Sequence, residues 1–277
     1  MNRLKYYINE IRKNWKNKRW WKSRIMEYFL HPLELFFISG SYVLNEEWDN
    51  LIILDACRYD VFEEELRNWD IRGSLEYRIS RGSNTGLFLR ENFNISNLRR
   101  GDIIYITANP WVDKVLRGSN IKVISVWKSE WSEELGTVLP EAVYKKTIEI
   151  ASKNQNKRII CHFLQPHGPY LKYEGGHYIR LNSPEKWAYK ENLRIVMPYV
   201  EKLCKILPGK TVVTADHGEA FGEKFGFLPI KIYGHPAIRI EPLIKVPWFV
   251  TEGEDNSAEL EKELIRLKLR GVKLEKI

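Results

Sequence analysis

The chain has 277 residues, 44% of them apolar and 13% aromatic, which is enough to bury a sizeable core and excludes a disordered or fibrous protein. Its 44 Lys and Arg against 36 Asp and Glu leave a formal charge of +8. Residues 1–24 carry nine basic side chains and one acid, Glu10, so the whole excess lies there; residues 25–277 balance 35 bases against 35 acids and have no compositional claim to bind nucleic acid.

Three cysteines, Cys57, Cys161 and Cys204, form no C-x-x-C pair, so neither a disulfide framework nor a cysteine zinc site is expected, and a reducing, cytoplasmic compartment fits best. The apolar stretch Leu33 to Leu44 is interrupted by Glu34, Ser39, Gly40 and Ser41 and is shorter than the ~20 residues of a membrane span. Charge runs through the N-terminus rather than preceding an apolar block, which is not a signal-peptide pattern.

In chain order, apolar spacing predicts a helix over residues 3–30, with Leu4, Tyr7, Ile8, Ile11 and Trp15 on one face, then Trp21, Ile25, Tyr28 and Phe29, ended by Pro32. Short β-branched runs follow at Asn50–Leu54, Ile103–Thr107, Lys122–Trp127, Arg158–Leu164, Thr211–Ala215 and Val246–Thr251, and these read as buried strands. Helical patterns lie between and after them at 58–69, 86–92, 140–154, 185–206 and 257–269. Alternation of this sort predicts an α/β fold: a mainly parallel central sheet sandwiched by helices, spanning 45–277 as one catalytic domain behind a helical extension, 1–44. Residues 168–184 and 219–245 are expected to be long functional connections.

Open parallel sheets bind ligands beyond the carboxyl ends of their strands, so polar residues that follow apolar runs are the first candidates. Asp55 ends the run L-I-I-L-D-A-C-R-Y-D, where an Asp is also a helix cap. Arg58 follows, placed either to meet an anion or to pair with Asp60. In T-V-V-T-A-D-H-G-E, Asp216 and His217 adjoin at a strand end, and Gly218 permits a sharp turn bringing both to one point, a mixed oxygen and nitrogen ligand set suited to a divalent metal. In C-H-F-L-Q-P-H-G-P-Y, His162 is either a core histidine or a substrate-binding one, while His167 sits between two prolines at a loop start.

With Ser83-Asn84-Thr85 and Tyr233-Gly234-His235-Pro236, these segments resemble, in order and over residues 48–252, the sulfatase-like branch of the alkaline phosphatase superfamily. That branch includes phosphoglycerol and phosphoethanolamine transferases and phosphonate monoester hydrolases. The resemblance implies a divalent metal held by Asp55, Asp216, His217 and the nucleophile. Thr85 is the expected nucleophile, because the relatives' hydroxyl or thiol opens a helix, and Ser83 is the alternate. It further implies His167 and His235 at the ester oxygens or leaving group, with Arg81 beside the nucleophile.

Two-metal relatives add an Asp four residues before the histidine that corresponds to His167; Phe163 stands there, so one ion is expected, with Mn, Zn, Mg and Ca all admissible. No Cys or Ser begins a C-x-P-x-R-type motif, which favours a phosphate mono- or diester over a sulfate ester and leaves a sulfatase without formylglycine as the alternative. The expected partner is a small anionic ester, on a glycan or lipid-linked precursor. Residues 1–30 are suited to peripheral membrane contact. A catalytically silent protein docked by its basic helix to membrane or nucleic acid is the alternative of another class.

Overall fold

The structure, a computed structural model, describes residues 3–25, 28, 38–93, 102–225, 230–251 and 256–270. The expected helix end at Pro32 lies outside them. Instead of one helix over 3–30 there are two, α1 (Arg3–Asn14) and α2 (Lys18–Ile25), separated by a turn at Trp15–Asn17.

The strands in chain order are β1 (Asn50–Leu54), β2 (Ser74–Ile79), β3 (Ile103–Thr107), β4 (Lys122–Ser125), β5 (Trp131–Ser132), β6 (Thr137–Val138), β7 (Arg158–Phe163), β8 (Tyr170–Glu174), β9 (His177–Leu181), β10 (Thr211–Thr214), β11 (Ala220–Lys224), β12 (Lys231–Gly234) and β13 (Lys245–Thr251). Seven form the central sheet in the order β2-β13-β10-β1-β7-β3-β4. Strand β13 runs antiparallel to both neighbours and the other six share one direction, so the carboxyl ends of β1, β3, β7 and β10 meet along one edge. This is an alkaline phosphatase-like α/β fold.

Side-chain alternation in the buried strands builds a core on each face. Ile52 and Leu54 of β1, Cys161 and Phe163 of β7 and Val213 of β10 pack under the helices Pro140–Lys153, Lys186–Ile206 and Ser257–Leu269. Leu51, Ile53, Tyr105, Ile160 and Val212 pack under Thr85–Asn92 and Pro110–Leu116. Each fully buried aliphatic side chain contributes about 1.5–3 kcal/mol by leaving water, so the doubly covered sheet makes the site edge a rigid platform.

Some elements differ from expectation. Strand β4 stops at Ser125, and Trp127–Glu130 is helical rather than strand. The stretches expected as long connections carry the hairpins β8/β9 and β11/β12. Strand β2, S-L-E-Y-R-I, went unpredicted because it is a half-exposed edge strand in which Ser74, Glu76 and Tyr77 are exposed.

Candidate active site

Three strand ends and one helix start deliver the central cluster. Asp55 follows β1, Asp216 and His217 follow β10, Asn109 follows β3, and Thr85 opens the helix Thr85–Asn92, whose cap is Asn84 accepting from the Leu87 amide at 3.0 Å. His217 Nε2 lies 3.4 Å from Asp216 Oδ2, 3.6 Å from Asp55 Oδ1 and 3.4 Å from Thr85 Oγ1. Donor atoms around a tetrahedral ion with bonds of ~2.0–2.1 Å stand about 3.4 Å apart, so these spacings match a metal's ligand shell.

The polar satisfaction of the cluster points the same way. Asp216 Oδ1 accepts from the Ala56 and His217 amides at 3.1 and 2.9 Å, and Asp55 Oδ2 accepts from Asn109 Nδ2 at 2.6 Å. Their other oxygens, Asp216 Oδ2 and Asp55 Oδ1, are buried with no protein partner. Buried unpaired carboxylate oxygens are costly unless a cation meets them. Burial first and the charge of Asp216 second push the Asp55 carboxyl well above its ordinary range. Burial, reinforced by the charge of His235, holds the His217 imidazole well below its ordinary value, hence neutral. Its Nδ1 bonds to Gly218 O at 2.8 Å and so carries the proton, which leaves the Nε2 lone pair facing the carboxylates. The residues present fit a divalent ion.

Backbone geometry at the two strand ends is fixed by close contacts. A Cβ on Gly218 would sit 2.0 Å from Pro242 O, and the Gly218 amide donates to Leu243 O at 2.8 Å. Close approach, rather than a special turn angle, is therefore why glycine follows His217. Ala56, directly after Asp55, adopts φ +61°, rare for a residue with a Cβ. It is held there by its amide bond to Asp216 and by Tyr189, whose hydroxyl donates to Ala56 O at 2.8 Å and accepts from the Arg58 amide at 2.8 Å.

A second cluster faces the first. The hairpin β11/β12 pairs Ala220 with Gly234, and this brings the flanking Glu219 and His235 together, Oε2 to Nδ1, at 2.9 Å. The ring of His235 is centred 4.7 Å from that of His217 and 5.0 Å from that of His167. Ligand-type atoms of His167, Glu219 and His235 all lie within 4.8 Å of one another. Burial alone would lower His235, but the hydrogen bond and charge of Glu219 outweigh it and raise its pKa; burial and the charge of His235 lower that of His167. His167 is placed by its amide, which donates to Asp55 O at 3.0 Å, and by Asn192, whose Nδ2 donates to His167 O at 2.8 Å and Pro166 O at 3.1 Å.

Three expected residues are engaged elsewhere. The Nδ1 of His162 pairs with Tyr105 Oη at 2.9 Å while its Nε2 faces Asp55 and Asp216 at 3.9 and 4.0 Å. Only Nδ1 has a hydrogen-bond partner; Nε2 is buried without one behind the two carboxylates, and burial drives the imidazole's pKa down to about 4. Arg58 spends its guanidinium on Asp60 at 2.8 and 2.9 Å, on Glu223 and on Glu219 O at 3.0 Å. Arg81 bonds Glu91 at 3.0 Å and Gly40 O at 3.2 Å and stacks 3.9 Å from the Tyr42 ring, bracing the loop before Thr85. Ser83 is fully buried and its hydroxyl has no partner, whereas Thr85 is the hydroxyl that reaches His217 and Asn109.

Sequence reading passed over Asn109 and Glu219. Asn109 follows the apolar run I-I-Y-I-T-A, the same signal that exposed Asp55, but Asn-Pro reads as a helix cap. It is that too, since its Oδ1 accepts from the Trp111 amide at 2.8 Å.

No family model and no curated protein sequence matches the chain. Among solved structures it is similar to the integral membrane lipooligosaccharide phosphoethanolamine transferase A from Neisseria meningitidis, with TM-score 0.50 and 14% identity over 82% of this chain and 51% of that one. It is also similar to an alkaline phosphatase superfamily protein from Vibrio parahaemolyticus, with TM-score 0.44 and 13% identity over 76% and 61% of the two chains. A third similarity is to phosphonoacetate hydrolase from Sinorhizobium meliloti, with TM-score 0.36 and 14% identity over 64% and 57%. These are likenesses of fold, and the chain spans about half the length of the Neisseria transferase. Among the described residues no helix is long and apolar enough to cross a membrane.

Proposed function

We propose that the protein is a metal-dependent enzyme that hydrolyses or transfers phosphate mono- or diesters through a covalent intermediate on Thr85. The observation that carries this reading is the convergence of Asp55 Oδ1, Asp216 Oδ2, His217 Nε2 and Thr85 Oγ1 on one point, two of these oxygens having no protein partner. A divalent ion held by these four residues supplies charge that favours the Thr85 alkoxide and neutralises the phosphoryl oxygens. Its identity, among Mn, Zn, Mg and Ca, is a matter for metal add-back.

Thr85 Oγ1, its proton released to solvent, attacks phosphorus, so the Oγ1–P bond forms while the bond to the leaving oxygen breaks. His235, whose proton is retained by Glu219, donates to that oxygen, and neutral His167 hydrogen-bonds a non-bridging oxygen. Water or an acceptor alcohol then attacks the phosphothreonine, the P–Oγ1 bond breaks as Thr85 regains a proton from solvent, and His235 takes one up from the attacking oxygen. The fold shared with a phosphoethanolamine transferase stands beside this reading as analogy. Three buried free thiols support a reducing compartment.

One observation favours a second reading, with two ions: His167, Glu219 and His235 form a further three-donor cluster, in which Glu219 supplies the carboxylate missing at Phe163. Elemental analysis distinguishes them, since wild type then holds two ions per chain and Glu219→Gln one. The primary test compares turnover of nitrophenyl phosphate, bis-nitrophenyl phosphate, a phosphonate monoester and a sulfate ester across added metals, in wild type, Thr85→Ala and Asp216→Ala. Full activity in both variants ends the site assignment. Turnover of the sulfate ester alone reverses the substrate choice, and no turnover by metal-loaded wild type restores the binding-protein alternative.

A further inference from the structure

The charge and exposed aromatic surface at the N-terminus take no part in the site above. Trp21 Nε1 donates to Trp15 O at 2.9 Å, tying α2 to the end of α1. Ile11 lies on α1, Trp15 stands in the turn that follows it, and Trp21 and Ile25, four residues apart, share one face of α2. These four and Tyr28 are exposed, Trp15 at 64% and Ile25 at 51%. Scattered exposed apolar residues are ordinary; five in one short segment form a patch that marks an interaction site. The same segment holds the entire net charge, nine bases against one acid over residues 1–24. Lys16 Nζ lies 5.1 Å from the Trp15 ring, and Arg24 lies 5.9 Å from the rings of Trp20 and Tyr28.

Where Gly40 and Ser41, further along the chain, meet the body is a second, independent observation. The Ser41 amide donates to Ile79 O at 2.9 Å, Ser41 bridges Ser80, and Arg81 donates to Gly40 O at 3.2 Å. Ser80 in turn donates to the Asp216 carbonyl at 2.5 Å. The chain therefore reaches the body at the carboxyl edge of the sheet, beside the loop that carries Thr85.

We propose that residues 3–25, with Tyr28, dock the protein on an anionic lipid bilayer, aromatic and aliphatic side chains in the interface and Lys and Arg on the headgroups, and that this holds the active edge at headgroup level. Charge complementarity argues for lipid over a second copy, which would set nine cations against nine. Ile11 and Ile25 argue for lipid over nucleic acid, since they enter acyl chains but offer no face for a base to stack on. That the substrate is a lipid-linked phosphate ester rests on the phosphoester reading; the docking does not.

The test sediments the full chain with vesicles of phosphatidylcholine, alone or with one-third phosphatidylglycerol, at about 0.1 M and about 0.5 M salt. Binding is expected only to the anionic vesicles, at least about tenfold weaker at the higher salt. Lys16→Gln and Lys18→Gln each weaken it about fivefold, and Trp15→Ser with Trp21→Ser about tenfold, while turnover of a soluble nitrophenyl ester is unchanged. Equal binding to neutral vesicles, no vesicle binding, preferential capture of a single-stranded oligonucleotide, or a dimer in sedimentation velocity that Trp15→Ser dissolves would each overturn the proposal. Docking without turnover of any ester sinks the phosphoester reading alone; turnover without docking sinks only this one.

Discussion

The side-chain amide of Asn109 joins two ends of the site: its Nδ2 donates to Asp55 Oδ2 at 2.6 Å and lies 3.5 Å from Thr85 Oγ1. One group thus orients a candidate metal-ligating carboxylate and touches the candidate nucleophile, while its Oδ1 caps the helix Pro110–Leu116. Asn109→Ser keeps a cap oxygen but cannot span to Asp55, whereas Asn109→Leu loses both bonds. Both variants are expected to lose about 10–100-fold in activity or metal affinity. Only the leucine variant also loses ~1 kcal/mol of stability from the cap, readable as a lower urea midpoint.

The two candidate hydroxyls separate cleanly. Thr85→Ala should cost about a thousandfold or more in kcat, because it removes the attacking oxygen. Ser83→Ala should leave kcat within about threefold and leave stability equal or slightly higher, since it deletes a buried hydroxyl with no partner. Steady-state kinetics and urea unfolding of the pair check this, and the reverse ranking would move the nucleophile to Ser83.

Gly218→Ala forces a Cβ to within 2.0 Å of a backbone oxygen, Pro242 O, so the chain after β10 must shift. A loss of ~1–3 kcal/mol is expected by denaturant titration. Metal retention falls with it, because His217 is the preceding residue.

Asp60 carries a pH signature. Burial pushes its carboxyl up, but the hydrogen bonds and charge of Arg58, with Lys186, outweigh this and hold it at about 2 against an ordinary 3.8. A depressed folded-state value means stabilisation that is fully present above about pH 4 and lost as pH falls through about 2. Asp60 is half exposed, so Asp60→Asn should cost no more than about 1 kcal/mol at neutral pH. The gap between wild type and variant closes between about pH 4 and pH 2; a gap that persists at pH 2 would show that packing, not charge, is responsible.

Sequence alone determined the sheet's interior and the polar residues that stand at its carboxyl edge. Asn50–Leu54 and Ile103–Thr107 are unbroken apolar runs because parallel strands covered on both faces bury every side chain, and Asp55 and Asp216 stand out because polarity begins where that cover ends. Edge strand β2 has no such signature, since one side of it meets water. Tertiary structure alone decided who partners whom. Glu219 and His235 are 16 residues apart and meet because the β11/β12 hairpin sets them opposite each other. Asp55 and Asn109 are 54 apart and meet because β1 and β3 flank β7 in one parallel sheet. Tertiary structure also committed Arg58, Arg81 and His162 to neighbouring groups, because a buried cation or imidazole must find its hydrogen bonds wherever packing supplies them.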